Sequence, residues 1–500
     1  TVVSNESGAY QFASLQTGRY NVTAELPGFQ TQTRSQVALG VSQQVRINFT
    51  LQVGTVAQSV EVNVAADTLI ATTSSSVGTV LPEYKVRDLP LTTRYVLELV
   101  ETTAGTNGGR NFAGGRMSSI NVTRDGVPTS DGRYAAEMGV SAGVYGSPDL
   151  VEEVRVIIAP ADAEMGRGSG QVQMVTRAGT NQFRGSVFWT NRNSALEANS
   201  WLNNFNGVGK NYRNGNQFGG RLGGPIIQNK TFFFFLYEGQ RYVTKKQFTG
   251  TVLTEEARRG NFRFFPGVQN GNIVSNIPVV DRAGNPVTPQ GAQGPLQTIS
   301  VFGRDPVRPG FDSSGWVQRL ISRMPLPNDF TVGDGLNTAG HRWLRRVQGE
   351  DTTNGDGQDT NRNQYNVRID HNFNSRHKAT FSGTREKNWA MSEQAGISNW
   401  PGGYDATLLR KPEFYQASLV STLSSAIVNE FRFGYRKNWQ FNYGSAFRPD
   451  TVGDETRSQL PTRNGERFFP AHMLFPNNII ANLDGAGTRG QTSPLFTYND

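Results

Sequence analysis

Apolar and polar residues alternate with period two through much of the chain, most clearly where Tyr365, Val367, Ile369, His371 and Phe373 share one parity. Gln364, Asn366, Arg368, Asp370 and Asn372 hold the other, which predicts a strand with one apolar and one polar face. After the turn-like residues Asn374 to His377 the alternation resumes with Ala379, Phe381 and Gly383 against Lys378, Thr380, Ser382 and Thr384, so the two segments form a hairpin. A second hairpin joins Tyr415, Ala417, Leu419 and Leu423 to Phe431, Phe433, Tyr435 and Trp439, with Ser424, Ser425 and Ala426 between them. Arg432, Arg436 and Asn438 take its opposite face.

A soluble sandwich would alternate in the same way, so the connectors must discriminate. Gln182 to Thr190 is followed by a loop through Tyr212, a strand around Phe218 and Leu222, a tight turn near Gln228 and Asn229, and the strand Phe232 to Tyr242. A very long excursion then ends near Arg362. Tight and long connectors continue to alternate, as in a barrel that crosses an outer membrane with short turns inside and long loops outside. About seven strands are expected by this reading. Phe232 to Phe235 loads both parities, which fits either an interfacial girdle or a strand covered on its inner face.

Composition supports a β-rich chain. There are 56 glycines, and only 36% of residues are hydrophobic, so no apolar run is long enough for a spanning helix. Barrel strands need no such run. The absence of cysteine removes disulfide frameworks and thiolate metal sites. The net charge of +8 comes from scattered Lys and Arg, which points to a solvated or lipopolysaccharide-facing surface rather than nucleic acid. The chain opens at Thr1 without a basic and apolar leader and closes at Asp500 in a loop or unfinished strand. It is therefore expected to be a piece of a longer protein.

Two blocks precede the barrel portion. Residues 1–66 are strand-rich, with landmarks Tyr10, Phe12, Tyr20, Gly28, Phe29, Ile47 and Phe49 between glycine turns, and predict a small β-sandwich. Residues 67–179 open on a Thr/Ser-rich linker and contain the best short helix candidate, Tyr95 to Val100. Strands follow at Ile120 to Arg124, turning at Asp125 and Gly126, then at Val154 to Ile158 and Gln171 to Thr176. Asp125 is expected to cap its own backbone there.

SGAYQFASLQTGRYNVTAELPGF resembles the carboxypeptidase regulatory-like family, whose transthyretin-like sandwich is non-catalytic. LPLTTR, NVTRDGVP and VEEVRVIIAPADAEMGRGSGQVQMVTRAGTN resemble the plug of TonB-dependent outer-membrane receptors, and NQFGGRLGGPIIQNKTFFFFLYEGQR, MPLPNDFTVGDGLN and NQYNVRIDHNFNSRHKATFSGTRE resemble the barrel of their Oar-like branch. Several motifs occur in the expected order across nearly the whole chain. The implied fold is mainly β: a truncated transthyretin-like sandwich over 1–66, a mixed α/β plug over 67–179, and the N-terminal part of a transmembrane antiparallel barrel over 180–500.

The resemblance implies import of an unidentified extracellular substrate through the outer membrane of a Gram-negative bacterium, energised by the TonB-ExbB-ExbD complex. It implies no cofactor, no resident metal and no enzymatic activity. A barrel of about twenty-two strands is wide enough to leak and needs a plug. The handle for TonB would be an extended segment that adds to a sheet edge. Val60 and Val62 lie in one candidate, Asp67, Thr68, Leu69 and Ile70 in another. The first could instead be only the exit strand of the sandwich. Asn111, Arg116, Tyr134 and Tyr145 lie in loops that correspond to substrate-contacting apices of the family, although such residues often serve only to hold their own loop.

Other patterns carry less chemistry. No His-x-x-Glu occurs, so peptidase zinc chemistry is not expected. Gly166-x-Gly168-x-Gly170 leads into a strand, unlike a dinucleotide loop. Asp351, Asn354, Asp356 and Asp359 bear some likeness to calcium ligation, yet they depart from EF-hand register and no terminal Glu follows, so a solvated loop is expected ahead of a calcium site. His371 and His377 are expected as interfacial imidazoles rather than metal ligands. The rival functions are a cell-surface adhesion or assembly barrel without active import, and a secreted enzyme with a sandwich module. The enzyme would need polar outer faces on the strands from Tyr365 to Trp439, where the sequence has aromatics.

Overall fold

A computed structural model describes the chain outside residues 13–17, 40–44, 55–59, 64–76, 108–110, 116–119, 130–142, 160–169, 271–277, 347–360, 398–403 and 468–488 and some isolated positions and pairs. Three sheets organise the described part. The first joins β1 (Gly18–Ala24) antiparallel to β2 (Gln32–Leu39), and β2 in parallel to β3 (Val60–Asn63). The aromatic landmarks of this region gather around Tyr10, which faces Phe12 and Phe49 at 6.1 and 6.2 Å and donates its hydroxyl to the Ile47 carbonyl at 2.7 Å.

The middle domain is built on a five-stranded sheet: β4 (Val77–Leu81), β5 (Ile120–Arg124), β6 (Val127–Pro128), β7 (Val151–Ala159) and β8 (Gly170–Thr176), in the order β4-β7-β8-β5-β6. β8 runs parallel to β5 and antiparallel to β7. A short helix α1 (Glu83–Asp88) follows β4, and the helix expected at Tyr95 to Val100 is a 3-10 helix over Val96–Thr102. Glu98 and Glu101 lie on its open side while Val96, Leu97, Leu99 and Val100 are buried, so packing dictates a tight turn over an α-helical one.

The third sheet is a ten-stranded antiparallel wall. It comprises β9 (Arg184–Asn193), β10 (Tyr212–Ile227), β11 (Thr231–Leu253), β12 (Thr338–Arg346), β13 (Asn361–Asn372), β14 (His377–Ile397), β15 (Tyr404–Arg410), β16 (Glu413–Thr422), β17 (Val428–Tyr443) and β18 (Arg489–Asn499). Both β12 and β13 pair with β11, one above the other, and β15 and β16 share the position between β14 and β17 in the same way. Pro412 separates β15 from β16. It lacks the donor a central strand needs, while its carbonyl still accepts the Glu386 N–H at 3.1 Å.

Strand lengths differ from the sequence reading above the membrane-facing zone. β11 runs well past Tyr242, and β12 and β15 lie where long loops are expected. Beyond Tyr242 the strand continues with Thr244, Lys245 and Gln247, where buried Thr244 is polar and no apolar parity marks a face to read. The long excursion also folds, around a small core of Phe265, Val279 and Leu336. Asp351, Asn354, Asp356 and Asp359 lie outside the described residues.

The two parities of the wall have opposite fates. Tyr365, Val367, Ile369 and Phe373 are exposed on the outer face, whereas Gln364, Asn366 and Asp370 are buried on the inner one. This is the inverse of a soluble sandwich, whose apolar parity would be hidden. The Phe232 to Phe235 run resolves as a strand covered on its inner face: Phe234 and Leu236 enter the core of the middle domain, while Phe235 points outward. From Tyr365 to Phe373 the outer parity spans eight residue steps, about 26 Å along the strand at roughly 3.3 Å per residue, or about 20 Å of membrane depth at a tilt of about 40°, which covers most of an apolar band of about 25 Å. His371 and His377 each place Nδ1 against a hydroxyl of the neighbouring strand, Thr231 at 2.9 Å and Ser421 at 3.0 Å.

The tight turn between β10 and β11 holds Asn229 at φ 59°, in the left-handed region. Asn181 accepts its N–H at 2.7 Å and donates to its side chain at 2.7 Å. Asn229→Ala is expected to cost about 1–2 kcal/mol through backbone strain and the lost side-chain bond, read as a lower urea midpoint in lipid vesicles. An unchanged midpoint would remove this turn as a determinant of the hairpin.

Candidate functional site

The inner face of the wall is polar by sequence, and the middle domain covers it strand by strand. Asp149 receives Arg94 from its own domain at 2.5 Å and Arg221 of β10 at 3.3 Å, and it accepts the Ser186 hydroxyl of β9. Arg94 also stacks on Phe188 of β9 at 4.1 Å. β11 contributes the apolar Phe234 and Leu236. β13 contributes Arg368, whose guanidinium donates to the Thr176 carbonyl.

The deepest contact centres on Tyr145. Its ring stacks on Tyr95 at 5.4 Å, and the Arg362 guanidinium lies 3.3 Å from its centroid. Arg362 in turn pairs with Glu238 at 3.3 Å, both side chains 0% exposed. Gln364 donates to the Tyr145 carbonyl at 2.8 Å, and the Tyr145 N–H donates to Glu386 at 3.0 Å. A single loop residue of the middle domain thus engages β13 and β14 through ring and backbone at once.

The turn at Asp125 and Gly126 forms the second contact. Both residues have positive φ, 49° and 78°, the geometry of a tight hairpin turn. The Asp125 carboxylate does not cap its own turn. It accepts the Thr176 N–H at 2.8 Å, the Thr176 hydroxyl at 2.7 Å and the Ser382 hydroxyl of β14 at 2.9 Å. Arg124 donates to Thr384 at 2.7 Å and lies 4.0 Å over the Phe414 ring. Burial lowers its guanidinium to about 10, so it remains cationic at neutral pH. Val127 and Val144 complete a small apolar patch with Phe414.

The sequence candidates are distributed differently. Val60 and Val62 lie in β3, paired with Gln32 and Arg34 of β2, so they form an edge of the N-terminal sheet. Asp67, Thr68, Leu69, Ile70, Arg116 and Tyr134 lie outside the described residues. Asn111 pairs with Asn107 in a two-residue ladder. Tyr145 is 0% exposed and faces the wall, not an open surface. Nothing in the sequence marks Arg124, Asp125, Asp149, Glu238, Arg362 and Glu386 as one group. The available signal was the polar parity of β13, which marks an inner face without naming what covers it.

Glu83 of α1 ties the domain's start to its end by pairing with Arg177 at 2.6 Å. Burial alone would raise this carboxyl, but the Arg177 charge overcomes it and holds the group below its ordinary value. A depressed folded pKa contributes stability above the unfolded pKa, near 4.3, and loses it as pH falls through the folded value. Protection of residues 83–88 in hydrogen exchange is therefore expected to fall below about pH 4, and Glu83→Gln to abolish that dependence. A pH-independent protection in the native chain would exclude the pair as an anchor. Among the described residues no group of three or more His, Asp or Glu is placed to hold a metal ion.

Residues 175–500 match the family described as outer membrane beta barrel domain, and residues 1–52 match the carboxypeptidase regulatory-like domain. The chain is 29% identical over 254 residues to the TonB-dependent transporter Oar of Myxococcus xanthus, covering 47% of this chain and 23% of that protein. It therefore spans about a quarter of that relative's length. Among solved structures, a mutant of the ferric enterobactin receptor PfeA of Pseudomonas aeruginosa aligns with TM-score 0.43 and 10% identity over 84% of this chain and 45% of its own. The outer membrane transporter YddB of Escherichia coli aligns with TM-score 0.38 and 10% identity over 73% of this chain and 39% of its own. An outward apolar parity, an inward polar one and a match over most of the chain agree: it belongs to the outer membrane beta barrel domain family, is a homologue of Oar, and resides in the Gram-negative outer membrane.

Proposed function

We propose that this chain belongs to a TonB-dependent importer in which the middle domain corks the barrel until it is pulled aside. The observation that carries this reading is the burial of the polar inner parity beneath that domain. Arg362, Gln364, Asn366 and Glu386 are sequestered there by hydrogen bonds and charge pairs more than by grease. Hydrogen bonds of this kind can be exchanged for water when a domain is pulled away, while Phe234, Leu236 and Phe414 supply the apolar part of the contact. The outer parity stays lipid-facing throughout, and the wall need not open.

A single cysteine at Asn366→Cys tests it, because the chain has no other cysteine and the position is buried at the inner face. Labelling by a membrane-impermeant maleimide is expected to be faster in living cells with TonB than in cells lacking it. Equal rates would reject energy-coupled opening. Loss of cell adhesion on gene deletion, with equal labelling, would favour the surface-adhesion alternative. Val60 to Asn63 and residues 67–70 remain the two candidate handles, separable by deleting each in the same assay.

A further inference from the structure

The outward parity of β11 continues past the apolar band. Phe235 and Tyr237 share it with Lys245, Gln247 and Thr249, and the ladder to β12 sets Leu344 opposite Gln247 and Arg342 opposite Thr249. From Tyr237 to Gln247 the strand climbs ten residues, about 33 Å along its axis at roughly 3.3 Å per residue. These side chains therefore stand on the outer flank of the wall, beyond the membrane and turned away from the lumen.

A cleft of about 470 Å³ opens there, a size suited to a small molecule or one unit of a polymer. Its walls come from three segments: Lys210 at the end of the connection from β9 to β10, Gln247, Arg342 and Leu344 on the strands, and Asn328 and Asp329 in the long excursion. Arg342 is fixed in place by the excursion. The Asn328 amide clamps its backbone, accepting the Arg342 N–H at 2.6 Å and donating to the Arg342 carbonyl at 3.0 Å. Asp329 accepts one guanidinium N–H at 2.5 Å, yet the Arg342 side chain keeps 48% of its exposure, so donors remain for a second acceptor. Lys210 gives one of its three N–H groups to the Glu197 carbonyl at 2.9 Å and is itself exposed.

The charges decide what fits. Asp329 turns its other oxygen to the Thr331 N–H and hydroxyl at 3.1 and 2.5 Å, and its side chain is only 7% exposed. An amine or a zwitterionic amino acid would find no accessible carboxylate for its ammonium. Lys210 and Arg342 against Asp329 leave one net positive charge, which balances a monoanion and falls short of a phosphate dianion. A carboxylate matches, since the planar guanidinium presents paired donors to its two oxygens. Gln247 offers both a donor and an acceptor to hydroxyl groups, and Leu344, 58% exposed, offers apolar surface to the C–H face of a ring.

We infer that this cleft binds a uronic acid unit of an acidic polysaccharide, its carboxylate held between Arg342 and Lys210, its hydroxyls on Gln247 and its ring against Leu344. The site holds a polymer against the outside of the wall and takes no part in the path through the lumen.

The test titrates trigalacturonate into the full-length protein in nanodiscs of neutral phospholipid and reads binding by isothermal titration calorimetry. R342Q and K210Q are each expected to weaken binding about tenfold, the size of one charge-assisted hydrogen bond. K437Q, in β17 farther round the wall, should bind as the native protein does. Because R342Q also takes the counter-charge from Asp329, K210Q decides the matter if R342Q loses the native mobility on unboiled gels. The methyl-esterified trisaccharide should bind the native protein and both variants alike, and neither inorganic phosphate nor diglycine should compete with the acid form. Unchanged affinity in K210Q, equal affinity of the native protein for acid and ester, or displacement by phosphate or diglycine would overturn the assignment. None of these readouts needs TonB, so their failure leaves the import reading standing.

Discussion

Arg362→Met is expected to loosen the middle domain by about 3–5 kcal/mol, because Glu238 would stay buried with its counter-charge gone. The guanidinium also leaves the Tyr145 ring, which it approaches to 3.3 Å, and a desolvated contact of that kind contributes about 2 kcal/mol. The measurement is hydrogen exchange over residues 143–150 and 170–176 in the folded protein, with outer-membrane leakage of a bulky dye as the cellular correlate. The double variant Arg362→Met/Glu238→Met should recover much of the protection, since a well-packed apolar pair often equals a buried ion pair. Tyr145→Leu should fall between the two, retaining the ion pair and the backbone bonds to Gln364 and Glu386. If Arg362→Met exchanged like the native protein, the pair would not be holding the domain, and the seal would have to rest on the Asp125 turn and the apolar contact at Phe234 instead.

The wall was legible wherever one face meets lipid and the other meets protein. Tyr365 to Phe373 and Tyr415 to Trp439 announce their faces because the two environments demand opposite residues. Beyond the apolar band that contrast vanishes. β12 and β15 therefore read as loop in the sequence, and the apolar parity of β11 ends at Tyr242. The site was harder to read for a different reason. Tyr145 stands out as an aromatic in a glycine-rich loop, but its partner Gln364 is 219 residues away in sequence. Asp125 likewise suggests a local cap, whereas it bonds Thr176 and, 257 residues distant, Ser382. Local chemistry identifies a loop in the first case and a turn in the second, and only the folded chain shows what each is pressed against.

Gly179→Ala is expected to impair barrel assembly more than any other glycine replacement in the interface. Gly179 lies in the short link from β8 to β9, where the chain passes from the middle domain into the wall. A Cβ there would meet the Phe233 carbonyl oxygen at 2.2 Å, with the Gly224 oxygen and the Phe233 nitrogen at 2.9 Å. These are backbone atoms of the paired strands β10 and β11, in which Gly224 stands opposite Phe233. No rotamer change can relieve the clash, so the link or the ladder must move, at about 3 kcal/mol or more. Gly434→Ala offers the contrast: its Cβ would meet Val127 methyls at 2.5 Å, and a side chain on a two-residue strand can yield, at about 1–3 kcal/mol. Gly209, with nothing within 4 Å, should tolerate alanine within about 0.5 kcal/mol. The folded fraction in outer membranes, read from mobility on unboiled gels, and the urea midpoint in lipid vesicles rank the three. A Gly179→Ala protein that assembled as well as the Gly209→Ala control would mean that the link does not run against the wall in the folded protein.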